Sequence, residues 1–555
     1  ALLVPVGISL ASIVQVALVG DQSELPAAGG IGQAVFSFGT AFALILVPTA
    51  LMGATLPLLA SHVVKEDSEL GPKVGLLYAI NTAGAVLGTL TAAFYCLSTF
   101  GLRGTTWVGA SVNLLVFVIV VLLVRSENAA VDGAPLPGAD TKGARRTAGD
   151  RKASDLPIPD ARYGWILLLV AASGAVSFSY EIVFTRMIGQ MLGGSVYAFA
   201  TMLSGFLLGI ALGGAVASRL ATNRQASAVW FVYTQVGAGL CTLVAYHLVD
   251  RMVLWSWGPR TGALVPPAQI FTSMVILIPT ATMIGATIPL AIRVKARDES
   301  EAATASAKVY FWNVLGGIVG AIATGAVVLP VGQFQGTVGF AIAMNLMIAA
   351  AAIWLLQIKP VHWLLPGIAM AVLFARLPSA PENILRVSAL TGQLSTGEIL
   401  FNHVGKSATV TVFRDRGEIL FQTNGLPEAR LGMLGSGEVH RSTGYWLSAL
   451  PSMMRPSCRS MLIVGLGGGV VAELVPPSIE TIDVVEIEPS VVDANRAVSA
   501  ERNHDPLKDP RTQIIINDGR NALALSDKKY DVIVSQPSHP WTAGASHLYS
   551  CLLYT

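Results

Sequence analysis

The chain is poor in charge. Of its 555 residues, 13% are Asp, Glu, Lys or Arg while 53% are hydrophobic, and the mean hydropathy is +0.61. A soluble globular domain carries roughly 25% charge, so most of this length is excluded from being one, and the lipid bilayer is the expected partner. With a net charge of only +2, nothing points to nucleic acid. Cysteine is also scarce: Cys96, Cys241, Cys458 and Cys551 lie far apart, without CxxC or metal-ligand spacing. Neither a disulfide framework nor a zinc site is expected, and no metal. A starting methionine and a signal-peptide pattern are missing too; the chain opens on Ala1 and reads as a fragment.

What is present is a series of apolar runs of spanning length, about 20 residues. Four lie near 2–19, 34–60, 74–98 and 105–124. A polar stretch at 125–162, rich in Gly, Ala, Pro and both charges, cannot bury a core and reads as a disordered loop. Six more follow near 164–190, 195–217, 226–249, 265–292, 308–329 and 337–357, with a shorter one at 361–377.

These runs contain an internal repeat. PTALMGATLPL at 48–58 recurs as PTATMIGATIPL at 279–290, and at an offset of 232 Tyr78 matches Tyr310, Asn81 matches Asn313, Gly84 and Gly88 match Gly316 and Gly320, and Asn113 matches Asn345. The second copy has two extra runs in front, so the first is expected to lack its start. Six plus six spans, an even number per copy, makes the halves parallel, an arrangement that resembles transporters of the major facilitator type. GGAVASRLATNR at 213–224 resembles the glycine and basic loop of that family, departing from it at Ser218. Lys and Arg collect in alternate loops, at 145–162, 219–224, 293–297 and Lys359, against mainly Arg251 and Arg260 on the other side. The basic side is expected to be cytoplasmic.

Glu181 and Arg186, in SYEIVFTRMIG, lie within an apolar run. Ionisable groups at membrane depth are costly and mark a polar path or binding site. The plainer reading is an internal ion pair, or Arg186 reaching to the interface from its helix end. Asn81 and Asn313, with glycines three and seven residues later, suit close helix packing.

From about 380 charge returns. ATVTVFRD at 408–415 and GEILFQTNG at 417–425 read as two strands joined by a tight turn. MLIVGLGGGVVAELV at 461–475 then runs from an apolar strand into Gly465, Gly467, Gly468 and Gly469, and DVVEIEP at 483–489 is a second strand ending in Glu486, 21 residues after Gly465. Glycines let backbone approach a ligand, and a carboxylate about 20 residues on suits a ribose. Two further strands end in Asp518–Gly519 and in Gln536. Ligands bind at the carboxyl ends of such strands, so these residues are expected to share one crevice. A nicotinamide site is the rival, since Gly467, Gly469 and Ala472 fit GxGxxA. It leaves Asp518 without a role, whereas an adenosyl group uses one acid at the ribose and another at the adenine.

VGLGGG, VVEIEP, NDGR and YDVIVSQPSHPW, in that order, resemble the spermidine synthase family of polyamine aminopropyltransferases, and more closely its members fused to a multi-span membrane region. The resemblance implies a Rossmann-like fold of class I methyltransferase and spermidine synthase type, and a cofactor that is decarboxylated S-adenosylmethionine or S-adenosylmethionine. By it Glu486 would hold the ribose, Asp518 with Gly519 the adenine, and the Gly465–Gly469 loop the sulfonium and its chain, with a small amine or polyamine as substrate. The departures fall on the chemistry. Gln536 stands where the family has its catalytic acid and His539 where it has a second. Gln536 cannot take a proton; His539 could serve as a base, or be only a turn residue before Pro540.

The expected organisation is therefore a first membrane repeat at 1–124, a loop at 125–162, a second repeat at 163–358, a linker at 359–380, a small β module with a lead-in helix at 381–455, and an incomplete nucleotide domain at 456–555. The run at 361–377 is 17 residues long and interrupted by Pro366; it reaches about 25 Å, short of a core of about 30 Å. It is expected to lie in the interface or to be re-entrant, either of which keeps the nucleotide domain on the cytoplasmic side. The whole reads as a membrane-bound transferase, or alternatively as a transporter with a sensory or degenerate synthase-like domain. The sequence does not set the oligomeric state.

Overall fold

The computed structural model describes residues 22–27, 31–63, 67–132, 161–255, 267–415, 417–432 and 443–536. The first expected span, most of the 125–162 loop and His539 lie outside them.

Apolar sequence becomes helix through residue 375. The helices are α1 (Ile31–Val63), α2 (Asp67–Thr91), α3 (Leu97–Asp132), α4 (Ile166–Leu192), α5 (Val196–Leu220), α6 (Arg224–Met252), α7 (Pro267–Lys295), α8 (Ala302–Ala323), α9 (Leu329–Leu355) and α10 (Leu364–Ala375). Among the described residues, six continuous helical stretches are long and apolar enough to cross a membrane by length and composition. Two of them are of double length, Lys73–Arg125 with 53 residues and Ala302–Leu355 with 54. Each is broken inside, at Gly101 (φ +64°) and at Gln333 (φ +53°), so each holds two of the expected spans. A π-helical turn precedes each break, at Ala92–Cys96 and Thr324–Val328. The breaks are 232 residues apart (333 − 101) and so are the π turns (324 − 92). Tyr78 and Tyr310, at the same separation, meet edge to face with ring centroids 6.1 Å apart.

Glycine sets how closely the helices pack. A Cβ added at Gly316 would lie 1.8 Å from the Ala171 carbonyl oxygen, and one at Gly320 2.3 Å from that of Ala175. Larger residues would push α8 off α4, so the Asn313 glycine pattern is a packing face. Within the bundle, Asn345 donates to the Tyr180 hydroxyl at 2.7 Å, and Ser179 and Thr324 hydroxyls lie 2.7 Å apart. These four polar groups thus find partners away from water.

The run at 361–377 packs along α6. The Tyr233 hydroxyl lies 2.7 Å from His362 Nδ1, the Tyr246 hydroxyl donates to the Ser379 carbonyl at 2.6 Å, and Asp250 accepts the backbone N–H groups of Asn383 and Ile384, both at 3.0 Å. From 362 to 383 the chain therefore follows α6 from Tyr233 to Asp250, about 25 Å of helix. Pro366 does not interrupt it because it falls in the first turn of α10, where its missing N–H has no intrahelical partner to lose.

The rest of the chain consequently docks on the bundle end formed by the finish of α4 and α6 and the break at Gln333. Val404 N–H donates to Gln333 Oε1 at 2.7 Å, and Arg186 donates to the Lys406 carbonyl. The basic groups Arg219, Arg224, Arg293, Lys295 and Lys359 mark the opposite end, at the finish of α5, α7 and α9 and the start of α6.

Four antiparallel strands follow in chain order: β1 (Glu398–Val404), β2 (Thr409–Asp415), β3 (Glu418–Thr423) and β4 (Leu426–Gly432). The expected hairpin is β2–β3; β1 and β4 extend it on either side. After a helix at Thr443–Met454, β5 (Ser460–Val464), β6 (Thr481–Glu486), β7 (Thr512–Ile516) and β8 (Val532–Ser535) form a parallel sheet of order β7-β6-β5-β8. Their apolar runs suit strands covered on both faces. Val410, Val412, Ile419 and Phe421 share one core with Met461, Ile463 and Val484, so module and sheet pack as a unit.

Candidate nucleotide site

The glycine cluster follows β5 because the chain must turn sharply there while its amides stay close to the strand ends. Gly465, Gly467 and Gly469 have φ of +90°, +52° and +75°, a region that side-chain-bearing residues adopt at a cost. Gly468 is needed for space instead: a Cβ there would lie 2.5 Å from that of Ala429 on β4. At Gly465 and Gly467 an added Cβ would meet nothing within 4 Å, so the turn borders open space.

Glu486, at the end of β6, holds this turn. It is 6% exposed, and its carboxylate accepts Leu466 N–H at 2.9 Å on one oxygen and Glu488 N–H at 2.9 Å on the other. Burial raises its pKa, and the backbone donors only partly oppose that. Asp518 ends the next strand connection and caps the helix Gly519–Ala524, accepting Asn521 N–H at 2.9 Å. A Cβ on Gly519 would lie 2.8 Å from Val464 Cγ1, so a side chain there would press on β5.

These residues surround a cavity of about 270 Å³, whose lining includes Gly465, Gly467, Glu486, Asp518, Gly519 and Gln536. Of the positions expected to bind a nucleotide, Gly465, Gly467, Gly468, Glu486, Asp518 and Gly519 thus come together at the carboxyl ends of the parallel strands, with Gln536 at the same mouth, while Gly469 faces Asn495 and Arg502 instead. His539 lies outside the described residues. Glu181 and Arg186 sit apart, in α4; among the described residues they form no ion pair, and Arg186 instead reaches Lys406 at the docked end.

Two carboxylates of the site escaped the sequence reading. Glu488, 3% exposed, binds the loop before β2 by accepting Ser407 N–H at 2.8 Å, Ser407 hydroxyl at 2.6 Å and Ala408 N–H at 3.1 Å, while its other oxygen accepts the Ser490 hydroxyl at 2.8 Å. Burial works to raise its pKa, but the Ser407 and Ser490 donors outweigh it and hold the carboxyl below its usual range. Glu428 lines the cavity from β4. Along β3–β4, Phe421 pairs with Ala429 and Gln422 with Pro427, which leaves Glu428 as the extra residue of a β-bulge. Burial and the Glu486 charge push its pKa up to about 7. The EIEP motif held the signal for Glu488; for Glu428 the only trace was an acid in a segment that does not alternate, LPEARLG.

The open turn and the carboxylates of Glu486 and Asp518 on one cavity lining are the donor and acceptor types an adenosyl group would need. Among the described residues no cluster of His, Cys, Asp and Glu could hold a metal.

Residues 445–554 match the spermine/spermidine synthase domain family. Polyamine aminopropyltransferase 1 of Streptomyces coelicolor is 24% identical over 407 residues, 70% of this chain and 72% of that protein. The polyamine aminopropyltransferase of Mycobacterium tuberculosis is 22% identical over 433 residues, 73% of this chain and 76% of that protein. Both matches are far longer than the family window and extend into the helical region. That of Buchnera aphidicola is 33% identical over 100 residues, 18% of this chain, and the match spans only about a third, 35%, of that relative.

Proposed function

We propose that the chain is a membrane-bound, spermidine synthase-like transferase that takes decarboxylated S-adenosylmethionine or S-adenosylmethionine as donor and a small amine or polyamine as acceptor. The carrying observation is the cavity in which the Gly465–Gly469 turn, Glu486 and Asp518 converge; the spermine/spermidine synthase match over residues 445–554 supports it. In this reading Glu486 shapes the turn beside the ribose, Asp518 and Gly519 face the adenine, and the donor supplies an electrophilic carbon on a sulfonium. The helical region is two parallel repeats of major-facilitator type, supported by the 232-residue spacing of the breaks and π turns. Calorimetric titration of the full chain in lipid nanodiscs with decarboxylated S-adenosylmethionine, S-adenosylmethionine and methylthioadenosine tests the donor site. Saturable binding that is weakened at least tenfold by Asp518→Ala is expected; heat from none of the three overturns the reading.

A second reading, a transporter with a sensory or degenerate synthase-like domain, is favoured by one observation. The domain docks on the bundle end opposite the basic loops, which the charge bias makes the non-cytoplasmic end, where adenosyl donors are scarce. Amine flux in proteoliposomes that is abolished by Glu181→Gln would support it.

A further inference from the structure

An amine acceptor reaches the cavity as an ammonium and must lose a proton before its nitrogen can form a bond. The described lining offers few groups to take it. Gln536 cannot. Both oxygens of Glu486 are occupied by backbone N–H groups, and those of Glu488 by Ser407, Ala408 and Ser490. Asp518 gives Oδ1 to the cap of its helix, and in the transferase reading its carboxylate faces the adenine. Glu428 differs from all of these. It lines the same cavity, stands at a bulge, and has no hydrogen-bond or ion-pair partner among the described residues. Bulges re-aim side chains, and this one brings a carboxylate from the β module to a pocket built mainly by the parallel sheet.

We propose that Glu428 is the catalytic base, receiving the proton of the acceptor amine within the cavity it lines with the glycine turn. This rests on the transferase reading above. The acceptor ammonium gives one proton to a Glu428 oxygen. The freed nitrogen lone pair then bonds to the methylene carbon attached to the donor sulfur, and the carbon–sulfur bond breaks with its electron pair passing to sulfur. The transferred group leaves on a secondary ammonium, and Glu428 returns its proton to solvent. The surroundings suit the task. Glu486 repels a second negative charge and so keeps Glu428 easily protonated, while Glu488 and Asp518 add to a field that attracts a cationic acceptor. Arg430, also on the lining, is turned to Glu418 at 3.4 Å.

The test uses the full chain in nanodiscs and has three readouts. Donor binding by calorimetry should be unchanged within threefold in Glu428→Gln. Acceptor binding to the donor complex, measured in two buffers of different ionisation heat, should release a fraction of a proton to buffer near pH 7 in the wild type, because Glu428 must shed the proton it partly carries before it takes the amine's, and should release none in Glu428→Gln. Transfer itself should fall by about 10²–10⁴-fold in the variant, and the wild-type kcat/KM should rise with pH through about 7, since the base must be ionised. Glu428→Asp should recover part of the rate. If the donor does not bind the wild type, the transferase reading falls and this proposal with it. If the donor binds but Glu428→Gln keeps the rate and the proton count, the proposal alone is overturned. Should Glu428→Gln not fold, a wild-type kcat/KM that is flat between pH 6 and 8 overturns it equally.

Discussion

At the scale of single residues, Glu488 is the group whose substitution reads most directly. Its carboxyl titrates below the usual range in the folded chain, so its stabilising share is complete above the ordinary carboxylate pKa, about 4.3, and is lost as pH falls through the lower folded value. Glu488→Gln is expected to weaken the attachment of the 405–408 loop by about 1–3 kcal/mol at pH 7. The difference from wild type should vanish at low pH. Hydrogen exchange at the Ser407 and Ala408 amides measures both. Sequence spacing located Glu486 because a carboxylate near the second strand end is a property of the βαβ unit itself. It could not locate Glu428, whose place depends on the bulge it forms in β4, nor show that Glu488 belongs to the β module as much as to its own helix.

At the scale of elements, the stretch 376–384 ties α10 to the rest. Asp250 accepts three N–H bonds from it, the third from the Asn383 side chain at 2.8 Å. Asp250→Ala leaves those donors without a partner, at a cost of about 1–3 kcal/mol for each buried one, and should raise proteolytic cleavage near 376–381 while leaving the bundle resistant. Unchanged cleavage would show that Asp250 does not fix the linker. Long apolar runs were legible as helices, since hydropathy over about 20 residues decides them, and the four parallel strands were legible from continuous runs such as MLIV and III. β1 and β4 were not. EILFNHV and LPEARLG break the period of two because each carries a bulge. The continuity of α10 was hidden for a similar local reason: Pro366 reads as a breaker unless one knows that it sits in a first turn.

At the scale of the whole molecule, the helical region has a direction. The α6–α10 contacts carry the chain from the basic end to the other, so a cysteine introduced at exposed Thr222 and one at exposed Ser478 should be labelled by an impermeant thiol reagent from opposite faces of a sealed vesicle. Labelling from the same face would mean that residues 361–377 do not cross. Which face exposes Ser478 separates the transferase from the transporter reading. Charge bias located the basic end from sequence; the end that carries the cavity depended on that one short helix. The meeting of Tyr78 with Tyr310 has its own geometric consequence. On the repeat reading these are the same residue of two copies, and under a two-fold operation a point can touch its own image only beside the rotation axis. If the two copies are related in that way, the two rings mark where the axis would run through the bundle.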